Sequence, residues 1–133
     1  MKLTLRKSFG NWIAVGDNAD TGEAIEFMLD YPTLEQQQTL DQMKYDYSNL
    51  RAVKQSLTAD TITIDYYKYL EFKRKYIACT VKDWKGIAEK CEVVNGELSP
   101  VLLSALTRDE SQVNALFEKI NAALEFTESD KKK

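Results

Sequence analysis

Between Tyr66 and Ile87 the chain reads YYKYLEFKRKYIACTVKDWKGI, with no proline, and no glycine before Gly86. Tyr66, Tyr69, Leu70, Tyr76, Ile77, Val81 and Trp84 recur at helical spacing on one face, and only Lys73 interrupts the stripe. This spacing predicts a long amphipathic helix over 65–85, stopped at Gly86, where glycine takes the left-handed conformation of a helix cap. The remaining apolar faces of the chain are expected to pack on that stripe.

The segments on either side supply those faces. Met1, Leu3 and Leu5 alternate with Lys2, Thr4 and Arg6, the pattern of a half-buried strand. A short apolar piece around Trp12, Asn11 to Val15, is closed by the turn-like Gly16-Asp17-Asn18. After the turn at Asp20-Thr21-Gly22, Ile25, Phe27, Leu29 and Tyr31 alternate with Glu26, Met28 and Asp30 and predict another strand, ended by Pro32. Thr33 then stands three positions before Gln36, the capping-box spacing. Leu40, Met43, Tyr47, Leu50, Val53 and Leu57 continue as the apolar face of a helix over 34–57. The β-branched run Thr61-Ile62-Thr63-Ile64 suits a strand, and Ile62 equally continues the helical stripe toward Tyr66.

Downstream, Asn95-Gly96 between short β-like runs predicts a tight turn. Ser99-Pro100 caps and opens a short helix over 100–106. Val113, Leu116, Phe117, Ile120 and Leu124 then line one face of a last helix over 110–125. The expected fold class is α+β and mainly helical: about four helices beside a small N-terminal antiparallel β-sheet, in one domain over 1–126. A flexible charged tail follows over 127–133. Trp84 is expected to be buried against the last helix, near Phe117 or Ile120.

Composition narrows the function. The chain of 133 residues contains no histidine, which removes Ser-His and Cys-His catalysis, and it has no phosphate loop or dinucleotide fingerprint. No catalytic residue, metal site or cofactor is expected, and the chain is read as not an enzyme. Cys79 and Cys91 lack metal-ligand spacing and read as buried thiols, a disulfide between them being unusual in a reducing compartment. Six basic and nine acidic residues over 1–60 leave −3, and twelve of each over 61–133 leave zero, in agreement with the net charge of −3. Lys73-Arg74-Lys75 sits in no wider basic excess, so nucleic acid is not an expected partner. Neither a membrane span nor a secretory signal is legible, and the expected location is the cytoplasm. Tyrosine and tryptophan stripes build core first, and beyond that they anchor partners. The candidate partner-binding residues are Tyr69, Tyr76, Trp84, Leu116, Phe117, Ile120 and Leu124.

Four features stand together over roughly residues 70–130: YIACTVKDWKGI at Tyr76–Ile87, VNGELSP at Val94–Pro100, LLSAL at Leu102–Leu106, and LFEKINAAL at Leu116–Leu124. This arrangement resembles the tail assembly chaperones of long-tailed bacteriophages. The resemblance implies a non-enzymatic protein of the host cytoplasm that binds and solubilises the tape measure protein. It also implies recruitment of the tail tube protein and a homo-oligomer coating one long helical rod. In such proteins a fraction of ribosomes slips near the end of the gene, and Lys131-Lys132-Lys133 stands where that would occur. The alternative is a virion structural component, such as a tail completion or head–tail connector protein.

Overall fold

The computed structural model describes residues 10–53 and 59–132, with side chains over 10–47 and 66–125. The strand expected at Lys2–Lys7 and the end of the first helix, over 54–57, lie outside the described residues. Strand β1 (Asn11–Asp17) pairs antiparallel with β2 (Ala24–Leu29). The turn between them is closed by Asn18, whose side-chain oxygen accepts from the Asp20 amide at 2.9 Å while its amide nitrogen donates to the Gly86 carbonyl at 2.9 Å. Ile13 and Phe27 face the helices, and Trp12, Glu26 and Met28 occupy the opposite side of the sheet, as strand alternation requires.

Helix α1 (Leu34–Val53) opens with the predicted capping box. Thr33 Oγ1 accepts from the Gln36 amide at 3.2 Å, and Gln36 Oε1 accepts from the Thr33 amide at 2.9 Å. Helix α2 (Ala59–Thr80) resolves the ambiguous segment at 61–64 as helix.

The helix predicted over 65–85 is in fact two elements. α2 stops at Thr80, whose hydroxyl bonds back to the Tyr76 carbonyl at 2.8 Å, and Val81–Lys85 form strand β3 on the free edge of β2. Leu29 pairs with Val81 and Met28 with Asp83, so Lys82 is an extra residue in the ladder. That bulge puts Val81 and Trp84, three positions apart, on one face of a strand. A helix gives the same spacing, which is why the stripe read as unbroken. Gly86, at φ +85°, turns the chain after a strand rather than capping a helix, and a Cβ there would collide with the Ala24 carbonyl.

The sheet order is β1-β2-β3, all antiparallel. A second, two-stranded ribbon joins β4 (Val93–Val94) to β5 (Glu97–Leu98) through Asn95 and Gly96, at φ 54° and 79°, the dihedrals of the expected tight turn. Its Gly96 carbonyl accepts from Gln36 Nε2 at 2.9 Å and from Lys82 Nζ at 2.8 Å, which ties α1 and β3 to the ribbon. Ser99 caps the short helix α3 (Pro100–Leu106), as the Ser-Pro pair predicts. Helix α4 (Glu110–Lys132) runs beyond the end expected at 125, through a segment that contains neither glycine nor proline.

The main core lies between the sheet and the two long helices α2 and α4. Phe27, Leu29, Ile77, Ala78, Val81, Val113 and Ile120 are its most deeply buried members, joined by Trp84, Leu98, Leu116 and Leu124. Trp84 is buried as expected, in one core cluster with Ile120 of the last helix. Its ring pairs with Phe27 across the sheet at 6.2 Å, and its indole N–H donates to the Glu89 carbonyl at 2.7 Å. No helix of the described residues is long and apolar enough to cross a membrane.

Candidate functional site

Three helices bring five aromatic residues, Tyr47, Tyr69, Phe72, Tyr76 and Phe117, to one place beside that core. α2 presents Tyr69, Phe72 and Tyr76, at i, i+3 and i+7. α1 runs alongside with Leu34, Gln37, Leu40, Lys44 and Tyr47, while α4 contributes Phe117, Asn121, Leu124 and Glu125. α1 and α4 each pack extensively on α2 but not on each other. Between them they leave a groove with a cavity of about 560 Å³, lined also by Tyr31 and Pro32.

Phe72 forms the floor. Its ring meets Tyr47 of α1 at 5.7 Å and Phe117 of α4 at 5.8 Å, the second edge to face. Tyr47 stacks toward Tyr69 at 4.8 Å, and Tyr76 meets Phe117 edge to face at 5.1 Å, so the rings form one continuous layer. Lys73, the interruption in the sequence stripe, is accommodated without leaving that layer. Its ammonium stands 4.1 Å from the Tyr69 ring centroid and donates to Asn114 Oδ1 at 2.7 Å. Across the groove, Tyr76 Oη donates to Asn121 Oδ1 at 3.4 Å.

The expected partner-binding residues divide between two environments. Tyr69, Tyr76 and Phe117 line the groove, and Leu124, a member of the main core, also touches it. Trp84, Leu116 and Ile120 belong to the main core instead, and Ile120 has no exposed surface at all. Sequence reasoning missed Phe72 as a groove residue, although it sits at helical spacing from both Tyr69 and Tyr76. It also missed the α1 wall, since nothing in one chain of letters says which two helices will flank a third.

The groove offers shape, ring faces and a few hydrogen-bonding groups. Burial pushes the Cys79 thiol from its ordinary 9.0 up to about 11, with the Glu97 carboxylate adding to the rise. Cys91 is likewise pushed up to about 11, by burial and by Asp83. Both thiols therefore stay protonated at neutral pH, the unreactive form. Among the described residues no three potential metal ligands cluster. Compared with known proteins, the chain matches no family model, no curated protein and no solved structure.

Proposed function

We propose that the chain is a non-enzymatic tail assembly chaperone acting in the cytoplasm of an infected host cell. Its task on this reading is to hold apolar helical stretches of the tape measure protein in the groove between α1 and α4, and so keep that protein soluble. Tail tube subunits are recruited around the rod, and several copies of the chain act along it. The observation that supports this reading is the aromatic layer at the groove. Tyr69, Tyr76 and Phe117 there combine large apolar area with partial exposure to solvent. A tyrosine ring joins a large apolar body to a polar tip, which suits a surface that is wet when free and covered when bound.

Co-expression tests it. The protein encoded by the long reading frame next to this gene is produced alone, with this chain, and with a Tyr69→Ala/Tyr76→Ala variant. The expected result is soluble neighbour only with the unmodified chain. A neighbour equally insoluble in all three would remove the chaperone assignment, and recovery of the chain from finished particles would transfer it to the virion components.

A further inference from the structure

Among the described residues, the groove has the form of an open place in a helix bundle. Its walls and floor come from three helices, each presenting residues at helical spacing: Leu40 and Tyr47 on α1, Tyr69 and Phe72 on α2, Phe117 and Leu124 on α4. An extended peptide would find no strand edge between these walls, because they are helices, whose interior backbone groups bond within the helix. A helix laid between α1 and α4 would instead complete a four-helix packing, with its apolar stripe on the ring of Phe72.

The walls carry opposite charges. Lys44 lines the groove from α1 and Glu125 from α4; both are exposed, and among the described residues neither has an ion-pair partner. We propose that the groove takes one amphipathic α-helix of a partner protein, whose apolar stripe is flanked by acidic residues facing Lys44 and basic residues facing Glu125. This rests on the groove being the binding site of the proposed chaperone, and it adds the form and charge pattern of the occupant. Helices flanked by one sign of charge on both sides are disfavoured, since one wall would then repel them.

The test uses three synthetic peptides that share one leucine stripe and differ only in their flanks. One has acid on one side and base on the other, one is basic on both sides, and one is acidic on both. Binding to the full chain is read by fluorescence anisotropy, and helix formation by circular dichroism. The mixed peptide is expected to bind best, gaining helicity as it does. Lys44→Glu, which makes both walls acidic, should move the preference to the doubly basic peptide by about fivefold; Glu125→Lys should move it to the doubly acidic one by a similar factor. Both substitutions are on exposed positions, and the circular dichroism of each variant alone reports that it folds. Equal affinity for all three peptides, or no change of preference in either variant, would overturn the charge pattern. Failure of every peptide to bind while co-expression still rescues the neighbour would overturn the helical occupant and leave the chaperone assignment standing. Binding of a peptide with no rescue would do the reverse.

Discussion

The main core and the aromatic layer share two helices, α2 and α4, yet they differ in kind. In the core, aliphatic residues such as Leu29, Ile77 and Ile120 are completely enclosed, and strands close one side of the packing. In the layer, Phe72 and Leu40 are buried, but Tyr47, Tyr69, Tyr76 and Phe117 keep part of their surface in water. No described residue of α1 belongs to the main core cluster. α1 is held by the rings, by its capping box and by the bond from Gln36 to the Gly96 turn. The difference teaches that this fold keeps its fully enclosed packing beside a ring layer that leaves apolar surface open.

The largest effect should come from the core. Trp84→Ala removes a ring buried against Phe27 and a bonded indole N–H, and should cost about 3–5 kcal/mol in chemical denaturation, the usual range for a large buried aromatic. If the variant kept its stability and lost only partner binding, Trp84 would belong with the groove and the contrast would fail.

Phe72→Ala sharpens the same line, because Phe72 is a buried ring on α2 that meets rings of both α1 and α4. A loss of about 3 kcal/mol is expected, the low end for a phenylalanine, since an adjoining groove lets the site relax. Hydrogen exchange should speed up in α1 well before it does in β2. Uniform acceleration across both would mean that α1 and the core unfold as one unit.

Much of this architecture was legible in the letters. Capping signals located the starts of α1 and α3, and the Asn-Gly pair located the small ribbon, because each acts through neighbours a few positions away. The helix-to-strand change at Thr80 was not legible. A bulge at Lys82 gave a strand the three-residue spacing of a helix, and only pairing with β2, far away in the chain, decides between them. The site was legible by half for a related reason. Periodicity placed Tyr69, Tyr76, Phe117 and Leu124 on apolar stripes, but a stripe does not reveal whether it meets the core or a gap between helices.

The thiols probe the core chemically. Cys79 and Cys91 are both raised in the folded state to about 11 from 9.0, so the stability they contribute is present below pH 9.0 and is lost as pH rises through about 11. Denaturation midpoints should accordingly be flat up to pH 9 and fall above it, and a Cys79→Ala variant should fall less steeply. Alkylation at neutral pH should be slow at Cys79 until the chain unfolds. Rapid labelling of the native protein would show that the core opens far more readily than its burial implies.

The smallest expected change in stability is the one that isolates the groove. Leu34 is 76% exposed at the lip of the groove, so it contributes almost nothing to the folded chain by itself. Leu34→Ser should leave the unfolding free energy within about 0.5 kcal/mol, as for surface positions generally. Serine also keeps the opening turn of α1 intact, because the cap is made by Thr33 and Gln36 and not by the leucine side chain. In a complex the same leucine would become covered by the incoming helix. Burying a leucine is worth about 1.5–3 kcal/mol, and 1.4 kcal/mol is a tenfold change in affinity. The variant should therefore bind the mixed-flank peptide at least about tenfold more weakly while melting at the same temperature. An unchanged affinity would mean that the helix does not reach the α1 lip, and the binding surface would contract to the rings of α2 and α4.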